Sequence, residues 1–379
     1  MTTTSTSTST LEERTALRDS LRSFLERFSS EEEVRRLMDT PTGLDPAMWR
    51  RMATELGLQG LAVPEEYGGS GFGATELQVV MEETGRALLC GPLWSSAVLA
   101  THVLLASGDA DVCGETLPAL CEGTTIATVA ALADSGSWTA PDVWDTTAAP
   151  APGDGEWRLS GRKTFVPDAL GADLFLVAAT TPAGPSLFLV EATAAGLTRS
   201  GLTTLDETRK QGVVELDAVV ARPVGVLGQG AAILAEAVRL SAVALAGEQV
   251  GGARRALELA VEYAKVREQF GRVIGSFQAV KHKCADVLLS VEAATSAARA
   301  AAAAIDEQSE ERGALAHLAL SLASEAYVHA TTENIEVHGG IGFTWEGSAH
   351  LYYKRAIAGT TSLGSPAEQR SAMLAEMGR

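Results

Sequence analysis

Cysteine is scarce in this chain. Four residues (Cys90, Cys113, Cys121, Cys284) are scattered through 379 positions without paired or metal-type spacing. That excludes a disulfide scaffold and a cysteine-based zinc site, and it implies a reducing, cytoplasmic setting. Basic residues are also outnumbered, 30 Lys and Arg against 48 Asp and Glu, giving a net charge of −18. A field of that sign excludes broad binding to nucleic acid or to an anionic membrane surface. A phosphate-bearing ligand would have to be held by a local cluster of donors acting against it. No uninterrupted apolar run reaches the roughly 18 to 20 residues of a membrane span. The opening "MTTTSTSTST" lacks both a basic region and an apolar core, so residues 1–10 are expected to form a disordered tail and not a secretory leader.

The chain has 46% hydrophobic and 21% charged residues, an ordinary globular balance spread over more length than one core usually spans. Its texture changes twice. Over 11–122 the apolar residues recur at helical spacing: Leu17, Leu21, Phe24, Leu25 and Phe28 share one face, and a helix over Pro46 to Leu58 turns Trp49, Met52 and Leu56 inward. The glycine-rich "GGSGFG" lies in a loop before a third helix, since no strand leads into it as a dinucleotide turn requires. Over 123–226 short β-rich runs ("TIATVAALA", "WRLSGRKTFV", "ADLFLVAAT", "SLFLVEA", "GVVELDAVVA") are separated by Gly, Pro and Asp, as in an antiparallel β domain. "TAAPAPGDGEW" reads as a loop or hairpin tip. Over 227–379 the chain is helical again, with long proline-free runs at 231–265, 276–306 and 314–336. The first alone is about 50 Å long at 1.5 Å per residue, and the alanine-rich faces predict a long, close-packed helical bundle. The fold class is α+β, in the order helices, sheet, helical bundle.

Two stretches carry the chemistry. In "YAKVREQFGRVIGSFQAVKHKCAD", Arg267 and Gln269 follow the first long helix, Gly271 permits a turn, Phe270 and Phe277 offer apolar faces, and Gln278 opens the next helix. A guanidinium fork suits phosphate oxygens, although Arg267 could equally pair with Glu268 or another surface carboxylate. In "EVHGGIGFTWE", Glu336, Val337, His338, Gly339 and Gly340 end the third long helix. Glycines there would let backbone approach a bulky, charged group. Glu325, His329 and Glu333 have helical spacing, but the Glu-X-X-His pairs of a ferritin-like metal bundle are missing, and no metal site is expected.

"REQFGRVIGSFQ", "HGGIGFTWE" and "GLAVPEEYGGSG", in this order of domains, resemble the acyl-CoA dehydrogenase family over nearly the whole chain. The resemblance implies an N-terminal helical domain, a middle β domain and a C-terminal four-helix bundle, with FAD as cofactor, an acyl-CoA substrate, an electron-transfer flavoprotein or similar acceptor, and tetramers in which one subunit holds the flavin ring while its neighbour grips the cofactor's pyrophosphate and adenosine end. On it, Arg267, Gln269, Phe270, Phe277 and Gln278 match the gripping set, and residues 336–340 match the family's Gln-X-X-Gly-Gly. Glu336 replaces the glutamine, placing a carboxylate where a pyrophosphate would repel it. His338 is read as an orienting polar group.

The catalytic half of the resemblance is missing. The family's carboxylate base stands in a "Y-E-G-T" element, matched here by "SLGS" (Ser362 to Ser365) with Leu363 at the acid's position, or on the long helix at the position of Ser241. Glu248, seven residues further and about 10 Å along that helix, is the remaining candidate base. "ALADSGSWTAPD" lacks the ring-side pattern, and Phe165, Val166, Pro167 and Asp168 stand where a hydroxyl would neighbour the flavin; proline offers neither hydroxyl nor backbone donor. The resemblance is therefore to the β-type, base-lacking subunit of α2β2 acyl-CoA dehydrogenases, which act on bulky acyl groups such as steroid side chains and whose homologous partner subunit is catalytic. A homotetramer using Glu248 and a flavin-free scaffold are the alternatives.

Overall fold

The computed structural model describes residues 9–133, 138, 144–151 and 155–378. In chain order the helices are α1 (Leu11–Phe28), α2 (Glu31–Met38), α3 (Pro46–Leu56), α4 (Ala74–Arg86), α5 (Thr101–Ser107) and α6 (Ala110–Cys121). Seven strands follow: β1 (Ala127–Ala130), β2 (Thr147–Pro150), β3 (Trp157–Pro167), β4 (Leu174–Thr181), β5 (Gly184–Glu191), β6 (Leu197–Gly201) and β7 (Gln211–Val224). The long α7 (Gly230–Val266) leads to a small hairpin of β8 (Glu268–Gln269) and β9 (Arg272–Val273). Then come α8 (Gln278–Asp306), α9 (Arg312–His338), α10 (Ala349–Gly359) and α11 (Pro366–Met377). The packing divides the described residues into two units, one within 35–73 and 90–241, the other within 9–34, 74–89 and 242–378.

The first unit is built on the sheet. Its strands run β1-β4-β2-β3-β7-β5 with β6 added to β7, and β5 also pairs β4. That second pairing closes β4, β2, β3, β7 and β5 into a ring, which protects sheet edges. Alternation sends Leu159, Phe175, Val177, Phe188, Val214 and Val219 into the interior. The expected antiparallel pattern holds for most pairs, but β4 has two parallel neighbours, β1, with Ala127 opposite Leu174, and β2, with Thr147 opposite Thr180. In "TAAPAPGDGEW" the first four residues form β2, antiparallel to β3, and 152–154 lie outside the described residues. Helix α3 begins at the Asp45 cap and stops two residues earlier than its apolar pattern implies, because Gly57 takes φ 62 as a left-handed cap. Trp49 and Met52 are buried as expected, whereas Leu56 is half-buried.

The second unit is the helical bundle. Alanines from α8 (294, 298, 301, 302) and α9 (316, 319, 323, 326) interlock with Val243, Ala246 and Val250 of α7. Small side chains permit close helix axes, so contact replaces bulk as the source of cohesion. Helix α4 crosses α7 closer still. A Cβ on Gly85 would stand 1.9 Å from the Glu248 carbonyl oxygen, and one on Gly251 would stand 1.8 Å from that of Glu82. Alanine normally improves a helix by about 1 kcal/mol over glycine. Here Gly251→Ala forces two backbones apart, and thermal unfolding is expected to show a net loss of about 2–3 kcal/mol.

Helices α7 and α8 are long and apolar enough, by length and composition, to cross a membrane, although neither holds an uninterrupted apolar run of that length. Of their most apolar windows, 61% and 39% respectively is buried. The bundle seam described above accounts for that apolarity, as in core helices.

Candidate functional site

Where α7 ends, the amide of Arg267 donates to the Tyr263 carbonyl at 2.9 Å, and Ile274 N–H donates to the Arg267 carbonyl at 2.8 Å. These bonds frame the β8–β9 hairpin, with Glu268 opposite Val273 and Gln269 opposite Arg272. Its two turn residues, Phe270 (φ 54) and Gly271 (φ 75), are both left-handed, the requirement of a type I′ hairpin. Glycine meets it freely, but a bulky L-residue pays about 1–2 kcal/mol. Phe270 bears that strain while 92% exposed. Strain without burial points to a role outside the folding of this chain.

Around the hairpin, Phe270 meets Phe277 edge-on at 6.2 Å between centroids, and Arg272 lies 4.0 Å over the Phe277 ring. Gln278, the first residue of α8, is bonded to His282 at 2.7 Å between Nε2 atoms. Gln269 is exposed. Arg267 is exposed too, and among the described residues no carboxylate pairs with its guanidinium. The alternative in which Arg267 merely completes a surface ion pair is therefore not what the structure contains.

The "EVHGG" stretch is joined to the same place. His338 stacks on Tyr263 at 4.2 Å and 23°, and its Nδ1–H donates to the Asn334 carbonyl at 2.8 Å. A carbonyl can only accept, so the tautomer is set and the ring is held in orientation. Val337 was expected to face a cofactor. Its side chain is instead buried with Ala260 and Ala264, against Tyr263, Ile274 and Val280, so it anchors the motif and can offer a ligand only backbone. Gly339 (φ 64, ψ −142) ends α9, and a Cβ at Gly339 or Gly340 would meet nothing within 4 Å. Both glycines border open space.

The expectation that Glu336 is a bare repulsive carboxylate is corrected. Lys283 of α8 bonds it at 2.5 Å and bonds Glu333 at 2.6 Å, contacts that raise the lysine's pKa. Nothing in the spacing of either helix alone reveals Lys283, because its meaning depends on α8 facing α9. The helically spaced Glu325, His329 and Glu333 have other partners: Glu325 pairs Arg370, Glu333 pairs Lys283 and His329 meets Ser290; no metal-binding cluster exists among the described residues.

On the side where a base would be sought, Leu363 is fully buried and its carbonyl accepts from Gln369 at 2.6 Å. Ser241 is buried against His102, Oγ to Nδ1 3.0 Å. Glu248 is the informative residue. Its Oε1 accepts from Arg355 Nη1 at 2.6 Å, and both residues are 4% exposed. Arg355 also donates to the Leu89 carbonyl at 3.2 Å. A carboxylate so held is neutralised in place. Asp168 (φ 49) accepts from Ser95 at 2.5 Å, and Pro167 accepts from Thr128 at 2.6 Å. Most of "ALADSGSWTAPD" lies outside the described residues.

Burial pushes the pKa of His102 down to about 4. The unfolded chain, near the usual 6.5, takes up this proton first as pH falls, so stability is lost between about pH 6.5 and 4. The loss amounts to about 3 kcal/mol by that shift. His102→Gln is expected to flatten this limb of a stability–pH curve.

The unpaired guanidinium, exposed aromatics and Cβ-free backbone suit an anionic ligand with a flat end, such as a dinucleotide tail. Comparison with known proteins gives the family. The acyl-CoA dehydrogenase C-terminal domain model matches residues 228–378 and the N-terminal domain model residues 11–124. The chain belongs to the acyl-CoA dehydrogenase family, whose members are FAD-dependent oxidoreductases. It is 33% identical to the acyl-CoA dehydrogenase IpdE2 of Mycolicibacterium smegmatis, over 97% of this chain and 99% of that protein. Among solved structures it resembles a variant of the Tcur3481–Tcur3483 steroid ACAD (33% identity, 97% and 99% coverage, TM-score 0.87). It also resembles the ChsE4–ChsE5 complex from Mycobacterium tuberculosis (30% identity, 98% of each chain, TM-score 0.86).

Proposed function

We propose that this chain is the FAD-tail-binding, base-lacking subunit of a heteromeric acyl-CoA dehydrogenase that desaturates an acyl-CoA thioester between its α and β carbons. The observation that carries the reading is a contrast within one unit: Arg267 is exposed and uncommitted, while Glu248 is buried and neutralised by Arg355. Bound FAD would supply the hydride acceptor. Arg267 would hold its phosphates, Gln269 and Gln278 would offer further hydrogen bonds, and Phe270 and Phe277 would flank the tail. Gly339 and Gly340 would admit it against the end of α9, with His338 fixing that segment. No group of this chain is assigned the α-proton; a homologous companion would provide the base and the flavin-ring contacts.

The similarity to a steroid ACAD and to a two-component complex supports a bulky acyl group and a heteromeric assembly. Electrons would leave through an electron-transfer flavoprotein or similar acceptor. The test is co-expression of this chain with a companion dehydrogenase subunit, followed by native mass measurement. A 2:2 assembly containing FAD is expected. A homotetramer of this chain carrying one FAD per subunit would overturn the proposal.

A further inference from the structure

We propose that Lys283 is a positioning residue of the FAD-tail surface: its ammonium neutralises Glu336, so that the carboxylate replacing the family's glutamine does not repel the cofactor's pyrophosphate. This rests on the reading that the surface around Arg267 and Gly339 takes that tail.

Glu333 and Glu336 lie three residues apart on α9, neighbours on one helix face, where like charges repel. Lys283 reaches from α8 to both, at 2.6 and 2.5 Å. An ammonium has three N–H donors. Two are engaged by the carboxylates, and among the described residues no third partner is recorded. The remaining N–H is available for a phosphate oxygen. Removing the lysine would leave two adjacent carboxylates beside Gly339 and Gly340, facing a group with two negative charges of its own.

The alternative is a surface ion pair of purely structural value. Lys283 and Glu336 are 40% and 54% exposed, and pairs that open to water contribute little to folding. Stability and cofactor affinity therefore separate the two roles. The assembled protein, freed of FAD, is titrated with FAD as wild type, Lys283→Met, Glu336→Gln, the double variant, Lys283→Arg and Arg267→Ala, with the unfolding temperature of each FAD-free form measured alongside.

Lys283→Met is expected to weaken FAD binding about tenfold, as for one unscreened unit charge at close range, with little change in unfolding temperature. Lys283→Arg, which keeps the charge, and the Lys283→Met, Glu336→Gln double variant, which removes the carboxylate's charge, should each return to within about threefold of wild type. Unchanged affinity in Lys283→Met overturns the inference. So does an affinity loss that tracks a fall in unfolding temperature and is not rescued by Glu336→Gln. If Arg267→Ala also leaves FAD binding intact, the tail site itself is wrong. If Arg267→Ala weakens binding while Lys283→Met does not, only the role of Lys283 falls.

Discussion

Arg267→Ala is expected to lower the FAD affinity of the assembled protein by about 10- to 100-fold while leaving its folding unchanged. The magnitude follows from losing a charge-assisted, potentially bidentate contact to phosphate, worth about 1.5–3 kcal/mol. The small folding effect follows from the structure: Arg267 is exposed, and its backbone bonds to Tyr263 and Ile274 do not involve the guanidinium. Lysine should restore only part of the affinity, since it supplies charge without the planar fork. FAD titration by flavin fluorescence, with circular dichroism as the folding control, measures both. The overall charge of −18 sharpens the expectation, because no general positive field can substitute for the missing side chain.

Arg355→Met destabilises the helical unit by about 3–5 kcal/mol, the cost of stranding one member of a buried pair. Glu248, 4% exposed, would lose its guanidinium partner, and the Leu89 carbonyl would lose its donor. Replacing both partners with leucine should recover most of the loss, since apolar packing commonly equals a buried ion pair. Urea unfolding of the wild type and these two variants gives the numbers. The same series decides the enzymatic alternative. A Glu248→Gln protein that folds, assembles and binds FAD but loses turnover would restore Glu248 as a base; turnover that falls only with stability leaves it structural.

Much of the architecture was legible in the sequence because long apolar periodicities are robust. The helices expected over 231–265, 276–306 and 314–336 appear as α7, α8 and α9 with ends shifted by no more than about two residues. Those shifts are set by caps, such as Gly339 at φ 64. The short strands β2 and β6 were harder to see. β2 includes Pro150 and is stabilised by pairing with β3, information that periodicity does not carry. The parallel placement of β1 on β4 is likewise a matter of tertiary pairing.

At the candidate site, residue types announced themselves but partners did not. Arg267, the two phenylalanines and the paired glycines were visible as chemistry. Whether Arg267 was free, whether Val337 faced outward, and whether Glu336 was bare all depended on which helix lay opposite. The same is true of Glu248, whose meaning is fixed by Arg355, 107 positions later. Sequence spacing cannot report an interaction that only the bundle creates.

Flavin content and acyl-CoA oxidation of the purified chain, measured alone and again after assembly with its companion, test the division of labour most directly. The account predicts substoichiometric FAD and no turnover in the isolated chain, with both restored on assembly and both lost again when the companion's carboxylate base is removed. Full flavin occupancy with turnover by this chain alone would contradict it.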